Sequence, residues 1–279
     1  MKILVAIDSS PAAESVLTSI LARPWPAASS FEVLTVAGSE DEDVTRRAIS
    51  ISEDAARRLC SANLDASAFM MHGRAKAVIV DRARQMAADL IILGSHNSRH
   101  ILLGGVASAV IRHAYCSVEI VRNPGDFSRG MKLLLATDGS EPSLAAARAI
   151  ATRPWPAGTE ARLLSAVELS LTLLQSTLEP PYVSDQLLET QRADAMKRAE
   201  QAVQSAERIL VASGLKTSES ISVLVENPKQ IILDEAAQWG ADLIFVGSHG
   251  RHGLDRFLLG SVSEAVATHA KCSVEVVRV

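Results

Sequence analysis

The sequence predicts an α/β fold made of two tandem doubly wound domains, each a five-stranded parallel sheet flanked by helices. Three observations predict it. The 279-residue chain repeats itself. Short apolar runs alternate with helix-patterned segments in both copies. Hydrophobic residues make up 48% of the chain while aromatics supply only 4%, so the core must be built from Ala, Val, Ile and Leu, which suits parallel sheets covered on both faces. A chain of this length is long for one domain and comfortable for two.

The repeat sets the frame. Residues 1–10 read MKILVAIDSS and residues 131–140 read MKLLLATDGS; RPWPA stands at 23–27 and again at 153–157, an offset of 130. ADLIILGSH at 88–96 matches ADLIFVGSH at 241–249, an offset of 153, and CSVEIVR at 116–122 matches CSVEVVR at 272–278, an offset of 156. The second copy therefore gains 23 residues between its second and fourth strands, much of it at 169–188, and 3 more in the loop after the fourth strand. NPGDFSRG at 123–130 reads as the linker. The expected domains are residues 1–124 and 131–279.

Each copy then reads element by element. In the first, residues 2–7 form a continuous apolar strand. Ser9, Ser10 and Pro11 open a helix, with Ser at the cap and Pro in the first turn, ending near Arg23 and Pro24. Strands follow at 31–36, 66–71, 89–93 and 117–121, with helices at 41–61, 75–87 and 104–114 between them. The second copy places strands at 132–137, 161–166, 219–225, 243–246 and 274–277, with its longest helix at about 184–213. Such alternation implies parallel strands joined by right-handed crossovers, with a ligand site beyond the carboxyl ends of the strands.

Composition excludes several classes. Net charge is −4 and no Lys/Arg-rich run appears, which argues against nucleic-acid binding. The three cysteines, Cys60, Cys116 and Cys272, form no CxxC pair, and a sparse, odd count suits a reducing compartment. No apolar run approaches the roughly 20 residues of a membrane helix, and the first residues read as a strand rather than a signal peptide. A cytoplasmic protein without membrane contact is expected.

Two features fall at the carboxyl ends of strands in the second copy. Asp138 ends strand one, where it can accept from ribose hydroxyls or hold a hydrated metal ion. After strand four come Gly247, Ser248, His249 and Gly250, then nine residues, then Gly260 and Ser261. Glycines let backbone approach a phosphate and permit positive φ. Gly260 and Ser261 open a helix whose free N–H groups and dipole favour an anion, and the Ser261 and Ser263 hydroxyls add donors. Neither GxxxxGK[ST] nor GxGxxG occurs. A bare GxxG is a weak signal; GxxG, nine residues and GS between a buried strand and a helix is much more specific.

With this loop, the MKLLLATDGS opening, Ser143 beyond it, ADLIFVGSHG and the closing CSVEVVR, the chain resembles the universal stress protein family over nearly its whole length, as two tandem domains with the ATP-binding type second. The resemblance implies an adenine nucleotide alpha hydrolase-like fold with ATP, accompanied by Mg²⁺, across the carboxyl ends of the strands. Carried over by position, Ala136, Thr137 and Asp138 line the adenosine side and the Val167 backbone meets the adenine. Gly247, Gly250, Gly260, Ser261, Val262 and Ser263 hold the phosphates, and His249 and Arg251 contact them from the same loop. Two departures stand out. Ser117 and Ser273 replace the usual Pro. In the first copy Asn97 replaces the second glycine, only six residues separate it from Gly104, and Gly105 replaces the Ser; Asp8 persists. That copy is expected to have lost the phosphate loop, leaving one ATP per chain.

Other residues read as structure. His249, His252 and His269 with Asp255 lack metal-ligand spacing, and no GxSxG elbow occurs. Trp25 and Trp155 staple the end of the first helix to the sheet; Met70 and Met71 fill the core and strand edge; Arg46, Arg47, Arg57 and Arg58 form a solvated face. The two CSVE[IV]VR strands are apolar edges that invite pairing. The resemblance suggests that they pair between domains in a pseudo-twofold arrangement, against burial under a neighbouring helix, and two chains can associate further through residues 169–188. Three functions stay open: an ATP-dependent stress or regulatory protein, an ATPase or adenylate-processing enzyme with residues 169–188 as lid, and an interaction scaffold without nucleotide.

Overall fold

The computed structural model describes residues 1–95, 103–122, 125, 127–168, 185–218, 221–225, 227–250 and 259–279. In the first domain β1 (Lys2–Ala6), α1 (Pro11–Leu21), β2 (Ser30–Ala37), α2 (Glu42–Ser61), β3 (Asp65–His72), α3 (Ala75–Gln85), β4 (Leu90–Gly94), α4 (Gly105–His113) and β5 (Ser117–Val121) follow in order. The second domain has β6 (Lys132–Ala136), α5 (Glu141–Ala151), β7 (Glu160–Glu168), α6 (Asp185–Ala212), β8 (Lys216–Thr217), β9 (Ile221–Val225), α7 (Pro228–Trp239), β10 (Leu243–Gly247), α8 (Ser261–His269) and β11 (Ser273–Val277). The fold is α/β, as the apolar alternation predicts. The strand expected at 219–225 is present as β9, and a further two-residue piece ahead of it, β8, also pairs with β7.

Within each domain the strands are parallel, in the order β3-β2-β1-β4-β5 and β11-β10-β6-β7. The central strands are apolar on both faces because helices cover both: Ile3, Leu4, Leu90, Ile91 and Ile92, like Leu133, Leu134, Ile244 and Phe245, are fully buried. Burying each such side chain stabilises the fold by roughly 1.5–3 kcal/mol. Helix starts follow local chemistry. Asp41 accepts from the N–H groups of Asp43 and Val44 ahead of α2, and Ser140 accepts from Ser143 N ahead of α5. The indoles of Trp25 and Trp155 donate to the carbonyls of Ile20 and Ile150 near the ends of α1 and α5, and stand edge-on to Phe31 and Phe245 of the sheet.

Strands β5 and β11 lie side by side and antiparallel, with Val274 opposite Ile120, Glu275 opposite Glu119 and Val276 opposite Val118. Among the described residues eleven strands thus form one continuous sheet. Two carboxylates meet at the centre of this seam, and each is held by the arginine of its own domain's RPWPA segment. Arg23 binds Glu119 at 2.6 Å, and Arg153 binds Glu275 through two bonds of 2.6 and 2.7 Å. All four side chains are buried. Burial, with Glu275 facing it, pushes the Glu119 carboxyl up against the pull of Arg23. Ser117 and Ser273, where the resemblance implies Pro, bond across the seam. Ser273 Oγ accepts from Arg122 N and donates to Arg122 O, and Ser117 Oγ accepts from Arg278 N.

Candidate functional site

At the carboxyl ends of β6 and β10 stand Ala136, Thr137 and Asp138, and the loop that begins at Gly247. Ala136 ends β6, opposite Leu164 of β7 and Val246 of β10. Thr137 follows, buried, its N–H bonded to Leu164 O and its hydroxyl 3.1 Å from Ser143 Oγ. The next turn is built around Asp138, whose Oδ1 accepts from the N–H (3.0 Å) and hydroxyl (2.5 Å) of Ser140. Val167 belongs to β7 itself, paired with Leu224 of β9, because that strand runs to Glu168 rather than ending at 166.

The glycine loop closes onto this turn. Its glycines act through close approach, not the positive φ expected of them: none of Gly247, Gly250 and Gly260 is in the left-handed region. A Cβ at Gly247 would stand 2.7 Å from backbone atoms of Pro142 and Ser143, so this glycine admits the first turn of α5. Gly94 has the same task in the first domain, where a Cβ would meet Ala12 Cβ at 2.7 Å. Gly250 is different. A Cβ there would lie 2.7 Å from Asp138 Oδ2, so the loop backbone sits directly against the strand-one carboxylate. Gly260 N donates to Ser248 O at 2.7 Å, which folds the far end of the loop back to its start.

Gly260 caps α8 in an extended conformation (φ −66°, ψ 146°) with no side-chain cap bond. The N–H groups of Ser261, Val262 and Ser263 belong to the first turn, which has no intrahelical acceptors, and the helix dipole adds partial positive charge there. The Ser263 hydroxyl donates to Gly247 O at 2.6 Å and is buried, so it ties α8 to β10, and what it offers an anion is its backbone N–H. Ser248 Oγ lies 3.0 Å from His249 Nδ1, and His249 is half-buried. This donor set, an uncapped helix start beside a carboxylate and a backbone turn, fits a phosphorylated, hydroxyl-bearing ligand.

Arg251, His252 and Asp255 lie outside the described residues, as do Asn97 in the first domain and residues 169–184 of the insertion. Among the described residues no group of three or more His, Cys, Asp or Glu side chains is placed to hold a metal ion, and no helix is long and apolar enough to cross a membrane. Sequence reading missed the ion pairs of the RPWPA arginines and noted the serines of the CSVE strands only as departures from Pro; a further trace was the recurrence of both segments in both copies.

The profile of the Universal stress protein family matches residues 1–122 and 131–278. Universal stress protein A homolog 2 of Coxiella burnetii is 50% identical over 70 residues, covering 25% of this chain and 47% of that protein, so the match spans about half of that relative's length. A solved universal stress protein from Archaeoglobus fulgidus covers 99% of this chain and 96% of its own at 18% identity, with a TM-score of 0.68, a likeness of fold. A second solved protein from that organism, a complex with dAMP, is 23% identical over 42% of this chain and 94% of its own, with a TM-score of 0.35. With two successive matches to one profile on two copies of one parallel α/β domain, the chain belongs to the universal stress protein family.

Proposed function

We propose that the chain is a nucleotide-dependent regulatory protein of the stress response that holds one ATP, with Mg²⁺, in its second domain. The approach of Gly250 to Asp138 carries this reading: it sets an acid that suits ribose hydroxyls or a hydrated cation beside the uncapped start of α8. Ala136, Thr137 and the Val167 backbone take the adenosine side. Gly247, Gly250, Gly260, Ser261, Val262 and Ser263 take the phosphates, with His249 and Arg251 adding side-chain contacts. Bound ATP supplies negative charge to the helix start and so fixes the loop, which partners then read. In this reading residues 1–124 and 131–279 work as a fixed pair joined at β5 and β11, in the cytoplasm, alone or as a homodimer.

Calorimetric titration of the full chain with ATP and Mg²⁺ tests this, together with chromatography of nucleotide extracted from the purified protein. Gly250→Ala sets a methyl against Asp138 and Gly260→Val crowds His249; each is expected to weaken ATP binding about ten-fold or more, the loss of one or two hydrogen bonds to a charged group. Absence of ATP binding, or unchanged affinity in both variants, refutes the reading. Turnover above about 1 s⁻¹ would favour an enzyme instead.

A further inference from the structure

Beside the loop of the second domain runs a cleft of about 320 Å³ between the two domains. Its lining includes Ser248 and His249 of the loop, Arg84 and Arg112 of the first domain, and Arg278. Arg112, at the end of α4, forms an ion pair with Glu264 in the first turn of α8, which holds its guanidinium by the helix start described above. Arg278 is occupied differently: its Nη2 donates to the carbonyls of Ile111 and Arg112 at the end of α4.

The two domains do not match here. The repeat aligns Arg278 with Arg122, and both do the same work, since Arg122 donates to Ala267 O near the end of α8. Arg84, however, aligns with Ala237 and Arg112 with Thr268, while Glu264 aligns with Ser108. The positions of the second domain that align with Arg84 and Arg112 therefore carry no cation. Arg84 and Arg112 line the cleft with Ser248 and His249, whereas Ala237 and Thr268 stand at the aligned positions of the second domain. The planar fork of arginine suits phosphate oxygens.

We propose that Arg84 and Arg112 form an anion subsite, contributed by the first domain, for the terminal phosphates of a nucleotide held by the second. The subsite rests on the nucleotide reading above and deepens it: the first domain is a working wall of the site, and specificity for a polyphosphate over a monophosphate lies across the domain boundary. The terminal phosphates compete with Glu264 for Arg112, so binding exchanges one partner of that guanidinium for another.

Titration of the full chain with AMP and with ATP, each with Mg²⁺, tests this in the wild type, in Arg84→Ala/Arg112→Ala and in Arg84→Ala alone, which breaks no ion pair among the described residues. ATP affinity is expected to fall about ten-fold or more in the double variant, as for a lost charge-assisted bond. AMP affinity stays unchanged, which also reports an intact fold, and Arg84→Ala gives a smaller drop with the same selectivity. Nucleotide binding with an unchanged ATP-to-AMP ratio in both variants overturns the subsite and leaves the nucleotide reading standing. If the wild type binds neither nucleotide, that reading falls and the subsite with it.

Discussion

Arg153→Met is expected to cost about 3–5 kcal/mol, the range found when one partner of a buried ion pair is removed. The Arg153 and Glu275 side chains are 8% and 0% exposed and joined by two short bonds. Methionine leaves the Glu275 carboxylate without these bonds, directly opposite Glu119 in the β5–β11 register. For a domain of about 150–250 residues that loss lowers Tm by roughly 6–20 °C. Arg153→Met/Glu275→Leu, which empties the pair into apolar volume, should return to within about 1 kcal/mol of the wild type or exceed it, because the desolvation of both charges is removed as well. Thermal unfolding followed by circular dichroism, with urea titration as a second measure, reads both variants. The surface pair Arg57 and Asp54, with side chains 69% and 61% exposed, supplies the control: Arg57→Ala should cost less than about 1 kcal/mol. About 0.5 M NaCl should leave the Arg153 effect nearly unchanged, since buried charges are little screened. A loss below about 1 kcal/mol for Arg153→Met, or a double variant as unstable as the single one, would refute a seam held by buried charge.

The carboxyl of Glu119, raised by burial, makes the seam pH-sensitive in a defined sense. A raised folded-state value means that its contribution is fully present below the unfolded value, near 4.5, and is lost as pH rises through the folded value. Glu119→Gln, which stays neutral, should therefore gain stability relative to the wild type as pH rises above that range; thermal unfolding of both proteins across the range checks this, and a relative loss at high pH contradicts it. The thiols should also divide. Burial pushes Cys116 up to about 12 and Cys272 up to about 11, while Cys60 is exposed. Near pH 8 an alkylating reagent should modify Cys60 in the native protein and all three cysteines in denaturant, which mass spectrometry resolves. Fast native modification of Cys116 would contradict its burial just ahead of β5.

Much of the fold was legible in local pattern. Runs such as residues 3–6 and 90–93 are apolar at every position because both faces of a central parallel strand are covered. In the second domain the apolar stretch gave β9 but no sign of the short β8, whose residues Lys216 and Thr217 are polar. In the site, the loop after β10 was recognisable from glycine spacing, but spacing did not distinguish its glycines. Gly247 and Gly94 admit a helix start, whereas Gly250 is set against a carboxylate more than a hundred positions earlier in the chain.

The sequence by itself determined the duplication, the alternation of strand and helix, and the restriction of the GxxG, nine-residue, GS spacing to the second copy, because each is written in neighbouring residues and in the comparison of one copy with the other. Only the tertiary structure decided why RPWPA and CSVE[IV]VR recur together. Arg23 finds Glu119 and Arg153 finds Glu275 across about a hundred residues of chain, and the two carboxylates meet because the edge strands run antiparallel. It also set Arg84 and Arg112 of one domain against the loop of the other. Ion pairs and clefts depend on distance in space, and a local sequence pattern carries no information about which distant side chains the packed sheet brings within a few ångströms.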